Sequence, residues 1–364
     1  MLRTALIGFP SVGKTSLFQL MTSQPDAHRS GHALLEAMVG VARVPDARLD
    51  GLADMFKPRT PVPATVEFAD IGGMGRAAAQ ALLDVVPFRS ADALVHVVRA
   101  FRDESVPHAP GSLNPARDAQ AMEDELILAD LGVAEKRLER IERDLKKART
   151  PLLERERDVL VRCRSSLEQG MPLRALDLDE DDRKRLRGFQ LLSAKPLLLV
   201  VNVDEADVAL LPQASLAAHA AGLDVFLSRA ATRAVPVCAK IELEISRLEP
   251  ADGLAFLADL GLSESGVDRV IRAVYALLGY VSFFTVGDHE CRAWSIPRGT
   301  TALMAAAEIH TDMARGFIRA EVVNYDTLIA RGSMAACREH GEVRLEGKEH
   351  VVLDGDIIHF RFAT

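Results

Sequence analysis

The stretch Gly8-Phe9-Pro10-Ser11-Val12-Gly13-Lys14-Thr15 fits the pattern G-x-x-x-x-G-K-[ST]. It stands between an apolar run, Thr4 to Ile7, and Ser16-Leu17-Phe18-Gln19-Leu20. A buried strand, a tight turn and a helix N-terminus must then follow one another. Backbone N–H groups of such a turn point inward and cradle phosphate oxygens, and the helix adds partial positive charge. In that setting Lys14 reaches the β/γ-phosphates, and the Thr15 hydroxyl, followed by Ser16, ligates Mg²⁺. The plainer alternative is a glycine-rich turn with a chance lysine. The strand and helix on either side make nucleotide binding the working premise.

At 364 residues the chain is too long for one ordinary domain, and two or three are expected. Its apolar share of 48% with 26% charged residues suits a soluble globular protein. No run approaches the roughly 18 apolar residues of a membrane span, and no signal-peptide pattern opens the chain, so a cytoplasmic protein without membrane partners is expected. The four cysteines, Cys163, Cys238, Cys291 and Cys337, form no C-x-x-C pair, which argues for free thiols over zinc or disulfides. A net charge of -8 excludes a broadly basic protein, although local patches leave room for RNA contact.

Further along, residues 24–40 mix Pro, Asp, His, Arg and Gly as a surface loop, the place of switch I in nucleotide-switch proteins. Leu49, Leu52, Ala53 and Phe56 predict a helix over Asp46 to Phe56, broken by Pro58 to Pro63. Ala64 to Ala69 reads as a strand ending in Asp70-Ile71-Gly72-Gly73, a Walker B acid before a phosphate-sensing turn, with Asp70 assigned to Mg²⁺. Ala91 to Phe101 is another buried strand, in which His96 reads as a core histidine without chemistry. The loop Arg102 to Pro115, with His108 in it, leaves the end of that strand on the nucleotide side of a parallel sheet. From Asp118 a stripe of Leu131, Ala134, Leu138, Ile141, Leu145 and Ala148 is coiled-coil-like. Thr150-Pro151 interrupts it, and Leu152 to Leu167 resumes it, which predicts an antiparallel helical hairpin. A short helix follows in Asp177 to Arg187.

Two later strands deliver base-site candidates. Lys195 to Val203 leads into Asn202-Val203-Asp204-Glu205, where guanine-binding P-loop proteins carry N-K-x-D. The glutamate at the fourth position is one methylene too long for the paired contact with guanine, and a polar site left unpaired discriminates strongly. Guanine preference should weaken. Val235 to Lys240 reads as a strand ending in Cys238-Ala239-Lys240, at the place of a base-packing S-A-K loop.

The order of these motifs resembles that of the Obg-like ATPases, and the chain is similar to their YchF branch. The tail carries the likeness furthest. Phe283-Phe284-Thr285-Val286-Gly287, Arg292-Ala293-Trp294-Ser295, Arg315-Gly316-Phe317-Ile318-Arg319-Ala320-Glu321-Val322 and Asp354-Gly355-Asp356 look like that family's C-terminal TGS domain. The tail's own pattern is alternating strands, one helix near Thr301 to Met313 and glycine-rich turns. The resemblance implies an α/β fold: a Ras-like P-loop NTPase domain (1–117 and 190–280), a helical coiled-coil insertion (118–189) and a β-grasp TGS domain (281–364). It also implies ATP preferred to GTP as substrate, ribosome or ribosomal-subunit binding, and a loop histidine assisting hydrolysis. Val106-Pro107-His108-Ala109-Pro110-Gly111 matches that loop, which gives His108 the role. The base would meet Asn202, Val203, Glu205, Cys238, Ala239 and Lys240.

Three positions depart from the family pattern. Leu34 stands where a Mg²⁺-sensing threonine belongs, and it cannot ligate a metal. The turn Asp70-Ile71-Gly72-Gly73 continues into a helix-favouring Met74 to Ala79, and Ser11 and Thr15-Ser16 are mild changes in the P-loop. The expected activity is an ATPase of altered switch loops. A hydrolysis-impaired ribosome-interaction module and an Obg-type GTPase stand as alternatives.

Overall fold

A computed structural model describes residues 2–22, 38–70, 86–108, 111–287 and 289–363. Leu34 and the turn Ile71-Gly72-Gly73 lie outside the described residues. Two compact units emerge, Met1–Ala42 with Glu67–Leu277, and Arg43–Val66 with Leu278–Thr364.

The first unit is built on a sheet of β1 (Leu2–Ile7), β2 (Met38–Arg43), β4 (Thr65–Asp70), β5 (Ala93–Arg99), β6 (Leu197–Asn202) and β7 (Thr232–Val237) in the order β2-β4-β1-β5-β6-β7. β1 runs parallel to β5, β5 to β6 and β6 to β7. β5 and β6 are buried along their whole length, as parallel strands covered on both faces must be, and this is why they read as unbroken apolar runs. β1 lies between β4 and β5, so the crevice beyond its C-terminal end is where an α/β sheet binds ligands. The P-loop and α1 (Lys14–Thr22) follow directly from that end.

The helical insertion begins earlier than the stripe of leucines suggests. One helix runs Pro115–Lys147, opened by Asn114, whose side chain accepts from Arg117 N, and by Pro115 in its first turn. Its first turns bury Ala119, Met122 and Leu126 in the core of the first unit beside Leu94, Val98 and Leu197. Farther out, Ala134, Leu138 and Ile141 pack against Val159, Leu160, Cys163 and Leu167 of the return helix Pro151–Glu168. Leu131 and Leu145 are only half-buried, and Ala148 has left the helix as its exposed C-terminal cap. Thr150 caps the return helix through its hydroxyl, which accepts from Leu153 N, and Asp179 caps Glu180–Leu186 through its carboxylate, which accepts from Asp182 N.

Buried charges fix the base of this hairpin. Glu123, on the long helix, receives both Arg174 and Arg229, and Arg174 Nε also donates to Thr232 Oγ1 at 3.1 Å. About two turns farther on, Asp130 accepts from Leu192 N at 2.8 Å and from Ser193 N and Oγ at 2.7 and 2.6 Å. Burial pushes the Asp130 carboxyl up to about 6, against the pull of those donors.

The second unit has a sheet of β3 (Thr60–Val62), β8 (Tyr280–Thr285), β9 (Glu290–Pro297), β10 (Phe317–Asn324), β11 (Arg344–Glu346) and β12 (Asp356–Phe362) in the order β11-β10-β12-β8-β9-β3. Its core gathers Phe283, Ile296, Val322, Ile358 and Phe360 around Ala302, Ala305 and Ala306 of the helix Ala302–Ile309. The single helix expected to Met313 is two, because His310 adopts an extended backbone, and its Nδ1 caps Thr311–Arg315 by accepting from Asp312 N. Arg43–Val66, which the sequence division keeps with residues 1–117, belongs to this unit. α2 (Ala47–Phe56) is capped by Asp46, and Arg48 donates to Asp354 at 2.9 and 3.2 Å while lying over the Phe284 ring. The proline-rich breaker contains β3, a three-residue edge strand parallel to β9. Its edge place is what tolerates Pro61.

No described helix is long and apolar enough to cross a membrane. All four cysteines are buried and unbridged.

Candidate nucleotide site

The turn after β1 is drawn tightly over the sheet. Gly8 and Gly13 sit at φ 139° and 99°, and Ser11 at 62°. A Cβ on Gly8 would lie 2.5 Å from Val97 O, and one on Gly13 2.6 Å from Asn202 Nδ2, so only glycine fits either position. Phe9, Pro10 and Val12 carry the turn between them. Lys14 Nζ donates to the carbonyls of Gly8 and Phe9 at 2.8 and 2.7 Å, which folds the ammonium back across the mouth of the loop.

Thr15 Oγ1 donates to Asp70 Oδ2 at 2.8 Å, joining the helix start to the end of β4. Asp70 is fully buried, and its Oδ1 has no hydrogen-bond partner among the described residues. A buried carboxylate oxygen with nothing to satisfy it, beside a hydroxyl, fits a hard divalent cation. No cluster of three His, Cys, Asp or Glu side chains suited to a metal occurs among the described residues.

A cleft of about 400 Å³ adjoins the P-loop, walled by Ser11, Gly13 and Ser16 on one side and by Asn202, Val203, Glu205, Cys238, Ala239 and Lys240 on the other. The sequence-derived base residues therefore do meet the phosphate cradle in one cavity. Their individual roles differ from the expectation. Asn202 is buried, and both ends of its amide are engaged by backbone: Nδ2 donates to Val12 O at 2.9 Å, and Oδ1 accepts from Ala239 N at 3.0 Å. It clamps the P-loop to the loop after β7. Glu205 accepts from Lys240 Nζ, and this contact raises the lysine's pKa. β7 ends at Val237, so Cys238 caps the helix Ala239–Ile245 where the sequence suggested continued strand, and burial pushes the Cys238 thiol up.

Phe101, Arg102, Asp103 and Val106 also line the cleft, as do Asp204 and Leu243, and sequence reading did not assign them. The signal for the first four was their place at the C-terminal end of β5, on the ligand edge of the sheet. Arg102 N donates to Asp204 Oδ2 at 3.0 Å, and this bond with that from Ala206 N holds the Asp204 carboxyl below its usual range.

His108 does not line this cleft. Its Nε2 lies 2.8 Å from Asp118 Oδ2, with both side chains nearly buried. His96, inside β5, is depressed to about 3, first by burial and then by the nearby Lys14 charge, in keeping with its reading as a core residue.

A family model, YchF-GTPase_C, described as a protein of unknown function (DUF933), matches residues 280–363. A protein of Bacillus subtilis (strain 168) named ribosome-binding ATPase YchF is 39% identical to this chain, with 99% of each chain covered. Relatives of the same name from Pasteurella multocida and Escherichia coli O157:H7 are 38% and 36% identical over 99% of each chain. A solved structure, that of the Schizosaccharomyces pombe YchF GTPase, superposes with a TM-score of 0.80 at 27% identity, covering 99% of this chain and 97% of that one. The fold is thus an α/β P-loop NTPase domain of the Ras-like kind, with a helical coiled-coil insertion and a C-terminal β-grasp TGS domain. With full-length relatives at this identity, the chain belongs to the YchF family.

Proposed function

We propose that this protein binds ATP with Mg²⁺, hydrolyses it to ADP and phosphate, and associates with ribosomes. The observation that carries the reading is Asp70 Oδ1, buried beside Thr15 with no hydrogen-bond partner among the described residues, next to a P-loop whose Ser11, Gly13 and Ser16 share a cleft with Glu205 and Lys240. Lys14 and the amides of Gly8 to Thr15 would hold the phosphates. Thr15 and Asp70 would hold Mg²⁺, which when bound neutralises charge on the β- and γ-phosphoryl oxygens. Glu205, already paired with Lys240, is a poor acceptor for the two guanine donors and leaves adenine the better fit. His108 would orient the attacking water or accept its proton. The ribosome enters from the names of the curated relatives, as does ATPase activity, whereas the solved relative is called a GTPase.

Steady-state turnover with His108→Ala tests the chemistry. A fall in kcat of about a hundredfold, the lower range for one acid–base group, is expected. An unchanged rate would remove His108 from the mechanism.

Two observations favour a second reading, a nucleotide-binding ribosome module with impaired hydrolysis. His108 contacts Asp118 outside the cleft, and Leu34 supplies no hydroxyl. ATP that is bound but not turned over, with turnover restored by Leu34→Thr, would decide for it.

A further inference from the structure

The His108 ring has one hydrogen-bond partner among the described residues. Its Nε2 meets Asp118 Oδ2 at 2.8 Å, the two side chains are 6% and 5% exposed, and Nδ1 is buried with no hydrogen-bond partner among the described residues. Leaving a ring nitrogen buried and unsatisfied is unfavourable, so among the described residues the Asp118 carboxylate is the polar group that favours this position for the imidazole.

Asp118 itself is fixed. It lies in the first turn of the helix Pro115–Lys147, next to Ala119, which is buried in the core. Its second oxygen, Oδ1, accepts from Arg117 Nε and Nη2 at 2.9 and 2.8 Å, and Arg117 Nη2 also donates to Ser112 O at 2.7 Å. On the other side of His108, the buried Arg99 guanidinium donates to Asp103 O and Val106 O, both at 3.0 Å. The chain is therefore sewn down before and after the histidine. Val106 reaches the nucleotide cleft, but His108 does not.

We propose that Asp118 is a positioning residue that stores His108 outside the nucleotide cleft, and that ATP turnover requires this contact to break. The inference rests on the reading of His108 as the group that assists hydrolysis. The stored state suppresses idle turnover, and any partner or nucleotide state that offers the imidazole a better seat releases it. The opposing arrangement is a dyad in which Asp118 orients His108 for catalysis where it sits. The two differ in sign, because loss of the carboxylate speeds hydrolysis in the first and slows it in the second.

The test pairs labelling with kinetics on the full chain. In the wild-type protein without nucleotide, diethyl pyrocarbonate should modify His108 slowly, as read by mass spectrometry. Asp118→Ala should make His108 several-fold more reactive while His96, which is 2% exposed, stays protected as the internal control of the fold. In the same variant kcat for ATP should rise several-fold with KM little changed, and the rise should vanish when His108→Ala is added. Asp118→Asn, whose amide has one acceptor for two donors, repeats the test if the alanine variant exposes His96. Unchanged labelling of His108, or a fall in kcat, overturns the proposal. A wild-type protein without ATP turnover, or a rate indifferent to His108→Ala, would instead remove the functional reading and leave the labelling result standing.

Discussion

Asn202 shows how a single side chain can serve a nucleotide site without a free polar atom. Its amide joins Val12 O to Ala239 N, so the phosphate loop and the base loop are set by one rigid group on the end of β6. The identity of this residue was legible from N-x-x-E order. Its role was not, because the partners are 190 and 37 residues away. Asp118 escaped for a similar reason: in sequence it is the first acid of a helix, and only the fold sets it against His108. His96 illustrates the reverse case, since an apolar run was enough to read it as core. Its depressed pKa, about 3 against an ordinary 6.5, means the unfolded chain takes up a proton that the native state refuses. Stability from this source is fully present above about pH 6.5 and is lost as pH falls toward about 3. His96→Leu should therefore lose less stability than wild type between about pH 7 and pH 4.5, by roughly 2 to 3 kcal/mol in urea unfolding. Parallel losses would contradict the burial argument.

Among the elements, the long helix Pro115–Lys147 joins the nucleotide unit to the helical hairpin without a break. Heptad-like spacing revealed the outer seam, where Ala134, Leu138 and Ile141 face one partner helix. It could not reveal the inner turns, whose apolar residues face a sheet and follow no seam. The sequence reading ended the preceding loop at Pro115 and began the insertion at Asp118, whereas Asn114 and Pro115 open the helix. At the junction Glu123 is surrounded by Arg174 and Arg229, and Arg174 has its pKa lowered chiefly by burial. Removing the acid leaves a buried guanidinium without its counter-charge, so Glu123→Ala should lower stability by about 3 to 5 kcal/mol in denaturant titration. A loss below about 1 kcal/mol would mean that water replaces the carboxylate there.

For the molecule as a whole, the C-terminal unit includes a segment, Arg43–Val66, that the chain lays down between β2 and β4. Local pattern predicted its helix, although Asp46 is its cap and not its first residue, but Thr60 pairs with Glu290 and Arg48 with Asp354, contacts that span most of the chain. No periodicity encodes such pairings. The architecture as a set of domains was readable because each has its own signature: buried parallel strands with a phosphate turn, a helical stripe, and short alternating strands with glycine turns.

A cleft beside Gly8 to Thr15 that takes ATP with Mg²⁺ in preference to GTP, as we propose, has a direct signature in binding. Calorimetric titration of the full chain with each nucleotide, with and without Mg²⁺, tests it most directly. ATP should bind more tightly than GTP, and Mg²⁺ should strengthen binding through Thr15 and Asp70. GTP binding more than about tenfold tighter than ATP, a gap of roughly 1.4 kcal/mol, would contradict it.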